Sequence, residues 1–347
     1  MRALSIFTAA ILLIAVSLTP SAAQDDPGVV NVYSARHYGA LEAPFVAFTE
    51  MTGIEVRVSQ GSPRALLERL RAEGEQTPAD VFLAIDAGVL SLAAEEGLLQ
   101  PVESELLTEN IDESQRDPDN LWFGLSQRVR TIMYNPEFVD PAELSTYAAL
   151  ADEQWQGRLC MRPATHIYTV SLVSSLIYHL GYDETRDIVS GWVANAPRYI
   201  NSDTRMIETV AAGGCDVALA NHYYLGRLRN EDPEYPVEIF WANQPDSGSG
   251  TFYNINGAGV TTAARNVENA VAFIEFLASD EGQSGAPEGF PGSNYEYPTN
   301  FAIAPNDVIA TFGEFQLDLD YPLWEYGSLQ ATAVQLLEEA GYGFSEN

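Results

Sequence analysis

The sequence predicts an α/β protein of two domains, each a mixed, mostly parallel sheet flanked by helices. Three observations predict it. Strand-like apolar runs alternate with amphipathic helix patterns, as parallel strands covered by helices do. About 320 residues remain once an N-terminal export segment is set aside, more than one core usually holds. Two extended stretches, WFGLSQRVRTIMYNP and FYNINGAGV, read as strands that cross from one domain to the other.

The elements follow in order. Arg2, the apolar run at residues 3–19 and the small residues Ser21-Ala22-Ala23 read as a signal peptide over residues 1–23. That run is short for a membrane anchor, and no Cys near the cleavage site suggests a lipid. A soluble, exported chain starting near Gln24 is expected. VVNVYSA is a strand, LEAPFVAFTEMTG a helix ending at Gly53, IEVRVSQG a strand ending in a Gly-Ser-Pro turn. Ala65 to Glu73 is a helix, ADVFLAID a buried strand, LSLAAEEG a helix. After the first crossing stretch come strand GRLCMRP, helix YTVSLVSSLIYHLG, helix DTRMIETVAAGG and strand DVALAN. After the second comes one long helix, NVENAVAFIEFLASDEGQ; Pro287 to Tyr297 is Gly/Pro-rich and reads as loop.

Formal net charge is −32, and all 17 basic residues are Arg. Such a surface argues against nucleic acid and anionic membranes, which need a basic face. Without Lys there is no P-loop lysine and no Schiff base. The acidity fits solubility in a salty exterior; genomic drift from Lys to Arg explains the missing Lys equally well. Cys160 and Cys215 are the only cysteines. In an oxidising compartment an even pair suggests a disulfide, worth roughly 4 kcal/mol on chain entropy if the two strands are neighbours. Two buried free thiols are the alternative.

His37-Tyr38, Tyr168 and Tyr223-Tyr224 offer one imidazole and four phenols. Phenol, with a pKa of about 10, suits few divalent metals, but a hard trivalent cation can displace its proton. All five sit where a strand ends and a helix or turn begins, the position at which open sheets bind ligands. Neighbours on a strand point to opposite faces, so a tyrosine pair reaches one ion only from a turn or helix start. Each Tyr taken singly also fits a packing role. His166 and His222 read as solvated or hydrogen-bonded neighbours, and His179 as a core or rim residue. Arg128 and Arg130 are expected to face opposite ways, so that at most one enters a cleft. No G-x-S-x-G, H-E-x-x-H, G-x-G-x-x-G or C-x-x-C signature is present.

VYSARHY, PADVFLAIDAGVLSLAAEEGLLQP, WFGLSQRVRTIMYNP, GRLCMRPATHIYTVSL, CDVALANHYYLGRL and FIEFLASDEGQ resemble the periplasmic ferric-ion-binding proteins of ATP-driven iron importers, a branch of the bacterial extracellular solute-binding proteins. The first and the last-but-one are specific to the iron-binding branch. The resemblance implies a hinged, two-lobed type 2 binding protein, with lobes at 24–127 plus 255–300 and 128–254 plus 301–347. It implies a monomer that binds Fe³⁺ in the periplasm and partners an ABC permease in the inner membrane. The metal ligands implied are His37 and Tyr38 from one lobe and Tyr168, Tyr223 and Tyr224 from the other. Arg128 or Arg130 would sit near a bound anion. Members lacking the first-lobe tyrosine use external phosphate or carbonate; Tyr38 lessens the need for such a synergistic anion here. Four phenolates and a neutral imidazole around Fe³⁺ leave a net charge of about −1, which Arg36, Arg128 or Arg130 can balance. Other readings are a binding protein for a polyamine or small anion, with the tyrosines as an aromatic cage, and a secreted hydrolase using a carboxylate pair.

Overall fold

A computed structural model describes residues 28–36, 43–246, 248–284 and 295–345. The signal segment, His37 and Tyr38 lie outside the described residues. The first half runs β1 (Val29–Ser34), α1 (Ala43–Thr52), β2 (Glu55–Gln60), α2 (Pro63–Glu73), β3 (Val81–Ala84), α3 (Ala87–Glu95), β4 (Leu99–Gln100), α4 (Glu105–Asn110) and β5 (Phe123–Tyr134). There follow β6 (Leu159–Met161), α5 (Ile167–Leu180), α6 (Tyr182–Ala194), β7 (Arg198–Tyr199), α7 (Asp203–Ala211), β8 (Val217–Asn221), α8 (His222–Glu231) and β9 (Glu238–Phe240). The chain then returns through β10 (Tyr253–Thr261) to α9 (Val267–Ala278), α10 (Asp280–Ser284), α11 (Asp307–Ala310) and α12 (Gln330–Glu339).

One continuous path, β2-β1-β3-β10-β5-β8-β6-β7, links all of this, with β4 beside β10 and β9 beside β5. The outer strands pair in parallel, β1 with β2 and β3, and β6 with β7 and β8. The crossing strands β5 and β10 run antiparallel to their neighbours, so each half is mixed. β5 changes partner along its length: Phe123 to Val129 pair with β10, Arg130 to Tyr134 with β8. A twelve-residue strand, buried throughout, thus belongs to both halves.

Local sequence explains the helix starts. Ser62 caps α2 ahead of Pro63 at its first position, Asp86 caps α3 and Ser202 caps α7. α1 and α9 bury Phe45 and Phe48 edge-on against Phe273, with ring centroids 5.2 Å apart in both pairs. The expected single helix at 266–283 breaks at Ser279, whose backbone is extended. Cys160 and Cys215 form a disulfide, because β6 and β8 lie side by side. Among the described residues no helix is long and apolar enough to cross a membrane.

Candidate metal-capture site

Two strand-to-helix junctions in the second half bring the phenols together. β6 delivers the chain to the start of α5, where His166 caps the helix and accepts from the Tyr168 amide at 3.3 Å. β8 delivers it to α8, which begins at His222 and presents Tyr223 and Tyr224 in its first turn. Since β6 and β8 are parallel neighbours, the two junctions lie at the same end of the sheet. The Tyr168 and Tyr223 hydroxyls are 3.1 Å apart, and the Tyr223 and Tyr224 rings 4.2 Å between centroids. Tyr168 and Tyr223 are buried, Tyr224 half-buried.

The surroundings are cationic. Arg128 donates to the Tyr168 hydroxyl at 2.9 Å and to the Ile255 carbonyl at 3.1 Å. The Arg128, Arg130 and Arg162 guanidiniums stand 5.1, 5.6 and 5.7 Å from the centre of the Tyr168 ring. Arg227 lies 5.2 Å from Tyr223 and 5.4 Å from Tyr224. Arg128 and Arg130 therefore flank the same ring, which corrects the expectation that they diverge. Residues two apart on a strand share a face; only adjacent ones alternate. Arg130 and Arg162 share the buried Asp203, at 3.3 and 3.1 Å. Arg36 pairs with buried Glu296 at 3.4 Å. Arg128 meets the Tyr168 hydroxyl directly and has no carboxylate at ion-pair distance among the described residues, a placement suited to balancing negative charge there.

Burial pushes the Tyr223 and Tyr224 phenols well above their usual range, each phenolate being further disfavoured by the neighbouring Tyr168. At neutral pH both keep their protons unless a strong cation displaces them. His166 is driven down to about 3, first by burial and then by Arg162. His222 is fully buried rather than solvated; burial lowers it to about 4, and its Nδ1 accepts from the Val129 amide at 3.1 Å. His179 is at the rim, 2.7 Å from Asp318. Burial raises the Glu296 carboxyl, but Arg36, Arg128 and hydrogen bonds from Ser126 and Asn256 outweigh it and hold it lowered.

Sequence reading overlooked Arg162, Asp203 and Glu296. The rule that found the phenols also covers two of these: Arg162 follows β6, and Asp203 opens α7. Glu296 lay in a stretch read as loop and carried no signal.

Comparison with known proteins gives a consistent picture. The profile of the bacterial extracellular solute-binding protein family matches residues 44–310. Iron uptake protein A1 of a Synechocystis species is 41% identical over 98% of this chain and 97% of its own. A Trichodesmium structure (IdiA, FutA) in complex with iron and citrate ligands superposes with TM-score 0.81 at 41% identity, covering 91% of this chain and all (100%) of its own. The ferric binding protein of Campylobacter jejuni superposes at 0.83 with 33% identity, covering 90% of this chain and 99% of that one. These neighbours are two-lobed, as is this fold. The chain belongs to the bacterial extracellular solute-binding protein family.

Proposed function

We propose that this protein captures ferric iron between its two lobes and delivers it to an ABC-type importer in the inner membrane, working in the periplasm. Tyr168, Tyr223 and Tyr224 supply phenolates from one lobe, and His37 and Tyr38 complete the set from the other. The lobes we assign are 24–127 with 255–300 and 128–254 with 301–347. The change of strand partner along β5 supports that division. The observation that carries the reading is the convergence of three phenols on one spot, with Tyr168 and Tyr223 hydroxyls 3.1 Å apart beside Arg128. Such a set suits a hard trivalent cation and little else. The relatives named for iron uptake and ferric binding support it.

Each phenol must lose its proton to ligate, so acid opposes loading and favours release. Arg128 offsets the excess negative charge, and carbonate or citrate would have to share that same guanidinium. The polyamine reading fits less well: ring faces that would cage an ammonium already carry Arg128, Arg130, Arg162 and Arg227.

Absorption spectroscopy during titration with ferric citrate tests the proposal. A phenolate-to-iron band should appear in the parent protein. Tyr223→Phe and Tyr224→Phe, which keep the rings, should shift or bleach it and lose iron to citrate at least about tenfold faster. Tyr178→Phe, on the exposed part of α5, should match the parent. Parent-like iron retention in both Tyr223→Phe and Tyr224→Phe would sink the ferric site.

A further inference from the structure

Asp86 stands at the seam between the two halves of the sheet, just after β3, and is fully buried. Its Oδ1 accepts from the Val89 amide at 3.1 Å and from Gln330 Nε2 at 2.7 Å. Its Oδ2 accepts from Ser171 Oγ at 2.7 Å and from Asn254 Nδ2 at 2.7 Å. These donors come from four separate elements: α3 itself, α12, α5 and β10. Capping α3 requires only the Val89 bond. The other three are additional: Ser171 and Gln330 tie a carboxylate of the first half to two helices of the second, and Asn254 ties it to the crossing strand β10.

One of them bears on the site. Ser171 lies about one helical turn beyond Tyr168 on α5. We infer that Asp86 is a positioning residue of the capture site: through Ser171 it anchors the helix that carries Tyr168 to the β3–α3 junction of the other lobe. This anchor limits how far the lobes part and how quickly they release cargo. The inference rests on the ferric reading for its cargo, but not for the anchor itself.

The surroundings leave the carboxylate little choice. The Asn254 amide is held the right way round, because its Oδ1 already accepts from the Ala87 amide at 2.8 Å. Gly88 leaves room for Gln330, since a Cβ there would lie 2.2 Å from Gln330 Nε2. The Ser91 hydroxyl also lies at the seam, shared between the Ala87 carbonyl of its own helix at 2.9 Å and the Leu323 carbonyl at 3.2 Å. In Asp86→Asn the new amide nitrogen meets a fixed donor whichever way it turns, the Val89 amide on one side or Asn254 Nδ2 on the other.

Ser171→Ala is the gentler test, for it deletes one donor and keeps the cap. Ser174→Ala is its matched control, equally buried on the same helix but bonded only to its own turn, at the Val170 carbonyl. Two quantities are compared: amide hydrogen exchange in the first turn of α5 without iron, and the rate of ferric release to citrate. Ser171→Ala should speed both about tenfold relative to Ser174→Ala, the factor expected for one hydrogen bond to a charged group. Equal exchange and equal release in the two variants overturn the inference. Should the parent hold no iron, the ferric reading fails by itself, and the exchange comparison alone decides the role of Asp86.

Discussion

His179 shows how one buried carboxylate sets the behaviour of a half-exposed imidazole. The hydrogen bond that His179 donates to Asp318 raises its proton affinity most, burial opposes it, and the charges of Asp318 and Asp320 add a little more. The folded state therefore holds the proton more tightly than the unfolded chain. Such a pair adds stability that is full below the unfolded value of about 6.5 and fades as pH rises through the higher folded value. His179→Gln should thus cost most at pH 5.5 and least at pH 8.5, by about 1 kcal/mol for a pair whose imidazole is screened by solvent. Urea unfolding of both proteins at the two pH values checks the sign; a gap that widens toward pH 8.5 contradicts it. Residue types were legible at this scale, whereas directions were not. That Tyr168, Tyr223 and Tyr224 share one end of the sheet was legible, because all three follow strand ends. Arg128 and Arg130 share a face because they stand two apart on one strand, and Glu296 is brought to Arg36 only by tertiary packing across 260 positions.

At the scale of elements, α9 separates stability from function. Phe273 meets Phe45 and Phe48 edge-on in the core of the first half, away from the phenol cluster. Phe273→Ala should destabilise by about 3–5 kcal/mol through lost burial and the cavity left behind. Iron-dependent colour at low temperature should be unchanged. Thermal denaturation alongside the visible spectrum tests both halves of the statement, and a bleached band in a folded variant would contradict it. Strands β1, β3, β6 and β8 were legible as short apolar runs, β2 by its alternation, and α2 and α5 as helical patterns between them. Four helices of the described residues escaped, the short α4 and α11 and the longer α6 and α12. α6 buries only Thr185, Val189 and Trp192, too sparse an apolar stripe to stand out. α12 turns Gln330, Ala333, Leu336 and Leu337 inward, and a buried glutamine opens no recognisable pattern. Gln330 is inside because Asp86 is there to receive it, and that partner lies 244 residues away.

At the scale of the whole molecule, β5 and β10 are the two strands that unite the halves, and both are buried along their length. Rigid lobes joined by two strands can move as a hinge. If the phenols of one lobe and His37 and Tyr38 of the other share one ion, loading must draw the lobes together. Small-angle scattering should give a smaller radius of gyration with ferric iron than without, and an unchanged radius at saturation argues against closure. The antiparallel placement of β10 between β3 and β5 was not legible, because it pairs segments more than a hundred residues apart. A surface with net charge −32 repels its own copies.

The bond between Cys160 and Cys215 joins the strand that delivers Tyr168 to the segment just before the strand that delivers Tyr223 and Tyr224. Its loop of 55 residues contains Tyr168 itself and all of α5, α6 and α7. The spacing of the phenols is thus tied to a covalent link that reducing surroundings do not sustain. A chain not yet oxidised would carry the same side chains on a looser frame and grip a cation less firmly. Oxygen-rich surroundings also turn ferrous iron into ferric, so one chemistry readies both the receptor and what it collects.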